Sequence, residues 1–266
     1  MRVPYNHLIN DPSLDIPFCL HWANEPWTAT WDGLADKSKV LLAQRHSPED
    51  DIAFIQDIAP ALADPRYITV EQRPLLLVYR PSLFPDMQQT IERWRTFCHR
   101  NGLRNPFLAV MQTGFEGQVD PQLYGFDAAI EFPPANLRLT EISNNVEPYD
   151  QGFSGNIYDY AEAAQQALDR KKPDYLLFRG TMPGWDNTAR RSNPDIMVNS
   201  DPDTYRRWLE GLFTYAKENL QPEHRLIFVN AWNEWAEGAY LEPDRRNGYA
   251  FLDATAKALI AATENR

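Results

Sequence analysis

Short apolar runs recur along this chain, and each is too unbroken to be a strand with one face in water. Pro74-Leu-Leu-Leu-Val-Tyr79, Phe107-Leu-Ala-Val-Met111, Ala128-Ala-Ile-Glu-Phe132 and Asp174-Tyr-Leu-Leu-Phe-Arg-Gly180 are the clearest, and Asp15-Ile-Pro-Phe-Cys-Leu-His-Trp22 precedes them. Arg225-Leu-Ile-Phe-Val229 is the sixth and reads as a buried strand. Near-continuous apolar strands belong to sheets covered on both faces, which are usually parallel. Helical patterns lie between them. Ser47-Pro48-Glu49-Asp50 is a cap, a Pro at the first helical position and acids at the positive end of the dipole. Its predicted buried stripe is Ile52, Ile55, Ala59 and Leu62. A second helix starts near Asp86 with Met87, Ile91, Trp94 and Cys98 on one face, and Asn101-Gly102 ends it. The spacing predicts further helices over 157–170 (Ile157, Tyr160, Ala164, Leu168), from Asp201-Pro202 (Tyr205, Leu209, Leu212, Ala216), and over 248–262.

Strands alternating with helices make the fold class α/β with a parallel sheet. Polar and aromatic residues gather just after the strands: Asn24-Glu25, Tyr79-Arg80, Gln112, Glu131, Trp185-Asp186 and Asn233-Glu234. A TIM-type (β/α)8 barrel carries its site in that way, at the C-terminal mouth of the strands. An open doubly wound sheet lacks the glycine-rich loop expected after its first strand. A full barrel needs eight strands, and six are found. The expectation is an incomplete barrel, with 16–22 as an edge strand. The chain of 266 residues reads as one domain, 1–266, with no linker, and 135–155 as an irregular loop over or beside the site.

Charge and composition exclude several classes. The formal net charge of -11 argues against a nucleic-acid partner, because such binding rests on cationic contacts to phosphates. No run of 18 apolar residues exists, so no membrane span is expected. Met1-Arg-Val-Pro-Tyr-Asn-His7 has no apolar signal core. With Cys19 and Cys98 as the only cysteines, this points to the cytoplasm. No spacing of His, Cys and Asp suggests a metal site, and no cofactor is expected.

The chemistry concentrates after the sixth strand. Asn233, Glu234 and Glu237 arrive between Trp232, Trp235 and Tyr240, with Gly238 to permit a tight turn. Burial and a neighbouring carboxylate both raise a carboxyl pKa, so two such groups can serve as acid and base in one site. Aromatic rings suit the C–H faces of sugars, while carboxylates and amides take their hydroxyls. Asn24, Glu25, Trp27, Trp31, Tyr79, Trp185 and Asp186 are the further candidate substrate contacts. Arg190 and Arg191 carry a weaker signal for an acidic ligand.

Trp232-Asn-Glu-Trp-Ala-Glu-Gly238 with Tyr240-Leu-Glu-Pro243 resembles the signature of the glycoside hydrolase family 99-like domain, which includes WbsX-type proteins of surface-polysaccharide gene clusters. The resemblance extends in order through Pro17-Phe-Cys-Leu-His-Trp-Ala-Asn-Glu-Pro-Trp-Thr28, Trp31-Asp-Gly33, Ser47-Pro-Glu-Asp-Asp51, Asp64-Pro-Arg-Tyr67 and Arg73-Pro-Leu-Leu-Leu-Val-Tyr-Arg80. It implies cleavage of α-mannosidic bonds with retention. By the resemblance, Glu234 is the base that deprotonates the sugar 2-hydroxyl, and Glu237 the acid that protonates the leaving oxygen. An oligosaccharide or polysaccharide is the implied substrate, in surface-polysaccharide or O-antigen metabolism. A glycosyltransferase of polysaccharide biosynthesis, or a non-catalytic sugar-binding remnant, is the alternative. The family's first two strand–helix units have no counterpart before Ile16, so the expectation is a domain without its first quarter, that part being either cut from the reading frame or carried on another chain.

Overall fold

The computed structural model describes residues 2–29, 39–147 and 152–264. The chain forms two compact units, Met1–Glu25 with Ala43–Ala129, and Pro26–Leu42 with Ile130–Arg266.

In the first unit the strands Leu20–Trp22, Arg73–Val78 and Phe107–Gln112 are parallel, with Leu20 opposite Leu76 and Leu75 opposite Phe107. Leu75, Leu76, Leu77 and Val78 are buried throughout, as the apolar run requires. Leu20–Trp22 is paired on one side only within this unit. The helix Pro48–Leu62 starts where its cap predicts, with the Ser47 hydroxyl accepting from the Asp50 N–H at 3.1 Å. The helix Met87–Arg100 starts at Asp86, whose carboxylate accepts from the Gln89 N–H, and it buries Met87, Ile91, Trp94 and Cys98 as expected.

The stripe of the first of these helices differs from the expectation. Its buried residues are Asp51, Ile55, Ile58, Ala61 and Leu62, while Ile52 is 37 % exposed. The helix is turned so that Asp51 reaches its neighbour. The Asp51 carboxylate accepts from Thr90 Oγ1 at 2.8 Å and Arg93 Nη1 at 2.9 Å, and its carbonyl accepts from the Trp94 indole N–H. A satisfied buried carboxylate sets the facing, which apolar periodicity alone does not register.

In the second unit the strands Leu177–Thr181 and Ile227–Val229 are parallel, with Arg179 opposite Ile227. Ile227–Val229 is half-buried rather than buried, because within this unit it has a partner on one side only. The helix Pro202–Asn219 is capped by Asp201, which accepts from the N–H groups of Asp203 and Thr204. Its inner face of Tyr205, Trp208, Leu209 and Leu212 shares a core with Tyr160, Ala164, Met182, Ala254 and Ala258, and Ala216 is buried as well.

The predicted helix over 157–170 starts late. Asn156–Asp159 is a strand that pairs in parallel with Asp195–Val198, Ile157 opposite Ile196. Asp159 then caps the helix Tyr160–Leu168. Glu131 is also placed differently. It ends the strand Ala128–Glu131 with 5 % exposure, not in an open mouth. Its carboxylate accepts from Arg179 Nε and Arg170 Nη1 at 2.8 Å each, and from the Gly180 N–H at 3.0 Å. Arg179 is 1 % exposed and also reaches the Ala167 carbonyl and the face of Tyr215.

Six central strands alternate with helices among the described residues, two fewer than a closed eight-stranded barrel. The α/β class and the incomplete strand count are as expected. Among the described residues no helix is long and apolar enough to cross a membrane.

Candidate active site

The carboxylate pair is built into a hairpin. Asn233–Glu234 pairs antiparallel with Ala239–Tyr240, and the 3-10 turn Trp235–Glu237 joins them. Glu234 precedes the turn as its cap and Glu237 closes it, near enough for the Glu234 carboxylate to act on the Glu237 carboxyl. Gly238 ends the turn at φ +62°, a left-handed conformation that glycine adopts without strain. The position is crowded too. A Cβ on Gly238 would lie 2.8 Å from the Asp186 nitrogen. Gly238→Ala should therefore cost about 1–3 kcal/mol in stability and displace Glu237; chemical denaturation checks the first and the rate of the reaction proposed below the second. An unchanged midpoint would show that the turn has room to relax.

The second wall of the site is the segment after Leu177–Thr181. Asp186 donates its N–H to the Glu237 carbonyl at 2.7 Å. The Trp185 carbonyl accepts from the Met197 N–H at 2.8 Å, and Asn187 Oδ1 accepts from the Asp195 N–H at 2.9 Å, so this segment is bound along Asp195–Val198. It delivers Arg190, whose Nη1 donates to Glu237 Oε1 at 2.5 Å. The two side chains are 15 % and 16 % exposed. The Glu237 carboxyl is held above its ordinary pKa, chiefly by burial. Arg190 opposes that shift, the Glu234 carboxylate reinforces it, and Arg191 opposes it weakly.

Trp235, Gly238 and Tyr240 of this hairpin line a cavity of about 660 Å³ together with Trp185 and Asp186, while Glu234 and Glu237 are not among its lining residues. Trp235 stacks on Tyr240 at a centroid distance of 3.8 Å and 17° between planes. Both rings are fixed at their polar ends. The Trp235 indole N–H donates to Glu242 Oε2 at 2.6 Å, and the Tyr240 hydroxyl to Asp244 Oδ2 at 3.0 Å. Trp235 is still 48 % exposed, which leaves ring surface for a ligand. Asn233 and Trp232 are also exposed on this hairpin. The second unit thus brings together Trp185, Asp186, Trp235, Glu237 and Tyr240, with Glu234 on the same turn.

Of the remaining candidates, Asn24, Glu25 and Tyr79 belong to the first unit and Trp27 to the second. In the first unit Asn24 is fully buried. Its amide nitrogen donates to the Arg80 carbonyl at 2.7 Å, and its amide oxygen accepts from the Arg80 N–H at 2.8 Å. Asn24 therefore ties two strand ends together. Glu25 Oε1 accepts from Arg80 Nη1 at 2.6 Å, and the Arg80 guanidinium lies 4.1 Å over the Phe115 ring. Tyr79, half-buried, follows the second strand and donates its N–H to the Trp22 carbonyl. Trp27 belongs to the hairpin of Trp27–Thr28 with Val40–Leu42 and is exposed. Trp31 lies outside the described residues.

Two residues of the site have roles the sequence did not reveal. Arg190 pairs with Glu237 across 47 residues, where its sequence context shows only a basic pair in a loop. Glu242 orients Trp235 from seven residues away, in a stretch with no helical pattern to pair them.

Comparisons with known proteins agree with this fold. The chain is 45 % identical over 265 residues to the protein described as uncharacterized WxcX in Xanthomonas campestris pv. campestris strain B100, covering 99 % of this chain and 38 % of that protein. The WxcX of strain ATCC 33913 matches at the same identity and coverage. The chain thus spans little more than a third of the length of these relatives. A solved structure described as a glycoside hydrolase-like protein superposes with a TM-score of 0.59 at 14 % identity, over 96 % of this chain and 74 % of that one. The GH99 endo-α-mannosidase from Bacteroides thetaiotaomicron does so with a TM-score of 0.51 at 15 % identity, over 84 % and 65 %. At those identities the likeness is one of fold. The family model described as Glycosyltransferase WbsX matches residues 1–255, and the chain belongs to that family.

Proposed function

We propose that this chain is the catalytic part of a carbohydrate-active enzyme that breaks α-mannoside-type glycosidic bonds with retention, in the metabolism of a surface polysaccharide. The observation that carries the reading is the Glu234–Glu237 pair, carried by one short turn whose Trp235 and Gly238 line a cavity with Trp185 and Tyr240. Glu237, buried and raised in pKa, suits the acid. Glu234 suits the base. It removes the proton of the sugar 2-hydroxyl, O2 attacks the anomeric carbon, and the bond to the leaving oxygen breaks. That oxygen takes the proton from Glu237, and a 1,2-anhydro sugar remains. Water then opens it, giving hydrolysis. A sugar hydroxyl in place of water gives transfer, the reading favoured by the description of the family model. The Trp235–Tyr240 stack offers a platform for the C–H face of a sugar ring.

The test is a pair of α-mannosyl oligosaccharides, one lacking the 2-hydroxyl at the scissile residue. The parent substrate should be cleaved or transferred with retained configuration, followed by proton NMR. The 2-deoxy analogue should react on the order of 10²–10⁴-fold more slowly, the value of a positioned base acting through that hydroxyl. Equal rates would remove the role of the 2-hydroxyl. Absence of both turnover and binding would remove the reading itself.

A further inference from the structure

Of the two oxygens of the Glu237 carboxyl, Oε1 is occupied by Arg190, and Oε2 has no hydrogen-bond partner among the described residues. We propose that Arg190 is the positioning residue for Glu237, fixing the plane of its carboxyl so that Oε2 is the oxygen that hands its proton to the leaving group. The inference rests on the reading of Glu237 as the acid.

The geometry is braced from several directions. The Glu237 backbone is held by the Asp186 N–H and by the close approach of Gly238 to Asp186. The segment that carries Arg190 is bound to Asp195–Val198 through Trp185 and Asn187, and the Arg190 N–H donates to the Asn187 carbonyl at 3.1 Å. Arg190 therefore reaches Glu237 from a fixed base. A carboxyl otherwise rotates about its last torsion, and a misplaced proton donor loses rate steeply. The charge matters as well. Glu237 is faced by Arg190, Glu234 and Arg191. Burial and Glu234 both favour the neutral acid. Without a cation opposite it, the carboxyl would hold its proton more tightly.

Two variants separate the parts of this role. Arg190→Gln removes the charge and weakens the contact, while Arg190→Lys keeps a charge and loses the planar fork. Carboxyl-labelled glutamate makes the Glu237 titration visible by carbon NMR without any substrate, and the pH profile of cleavage follows the same group in action. In Arg190→Gln the Glu237 carboxyl should titrate at higher pH than in the parent. The alkaline limb of the rate profile should move with it, and kcat should fall roughly 10- to 100-fold with little change in KM. In Arg190→Lys the titration should stay near the parent's while kcat still falls. Uniformly lower activity with an unmoved titration and an unmoved limb in the folded Gln variant would make Arg190 merely structural and overturn the proposal. If Arg190→Gln does not fold, the Lys variant decides: full kcat there removes the positioning role. A parent protein whose Glu237 titrates as described but which turns over no glycoside would overturn the acid reading and leave only the ion pair.

Discussion

Glu237→Gln should lose cleavage of glycosides with poor leaving groups and retain much of it on activated ones. A glutamine side chain has nearly the same shape but no proton to give at this position. A poor leaving oxygen needs that proton as the bond breaks, whereas an activated one departs as an anion. Glu234→Gln should lose both, since the attack by O2 needs its base whatever departs. A positioned acid or base is worth on the order of 10²–10⁴-fold in rate, and losses of that size are read from kcat/KM on a matched pair of substrates. Neither variant should unfold. Glu237 is held above its ordinary pKa, so replacing it with a neutral group removes little that the fold depends on, apart from the contact to Arg190. Equal and small losses on both substrates would show that the two residues do not divide the work as acid and base, and the sugar-binding alternative would then lead.

Glu131→Ala should be the largest single loss of stability among the charged residues discussed. It leaves Arg179, 1 % exposed, with a cation and no carboxylate. Breaking a buried pair by removing one partner costs about 3–5 kcal/mol, because the remaining charge stays desolvated. For a chain of this size that is roughly 6–20 °C in Tm. Arg170 and the Gly180 N–H lose the same acceptor, which adds to the effect. The double replacement Glu131→Leu with Arg179→Met should cost less than the single one, since the fully buried Arg179 charge goes with its carboxylate. A single variant melting within two degrees or so of the parent would mean that water or a shifted side chain takes the place of Glu131.

What the sequence made legible was local. Ser47, Asp86 and Asp201 start helices by bonding to N–H groups two or three residues ahead, so the residues that decide the structure sit next to one another. The stripe Met87, Ile91, Trp94 and Cys98 is buried as its spacing predicts. The misreadings are of another kind. Ile157 has helical spacing with Tyr160 and Ala164, yet its segment is a strand because Asp195–Val198, about 39 residues on, pairs with it. Ile52 loses its place to Asp51 because Thr90 and Arg93 of another helix hold that carboxylate. Glu131 looked like a residue of the site because it follows a strand, and only the packed structure shows Arg179 and Arg170 closing on it. The same holds in the site. Glu234, Glu237 and Gly238 declare themselves within one short stretch, whereas the partner of Glu237 was hidden in a loop with no periodicity. Each miss comes from a partner far away in the chain.

That division has a consequence for how Glu234 and Glu237, the proposed base and acid, come together. They are three residues apart, so bringing them together carries almost no loop-closure entropy, which grows with the length of chain enclosed. Their relative placement is a property of one short turn and is available as soon as the turn forms. A slip of register in a distant strand would send its side chains to the opposite face, but it would leave these two residues three apart on their turn. The rest of the fold contributes the surroundings: the burial that raises Glu237, the guanidinium from residue 190, and the cavity wall. Geometry is encoded locally and reactivity globally, so the pair can exist as a shape in a partly assembled chain and become an acid and a base only when the remainder has closed around it.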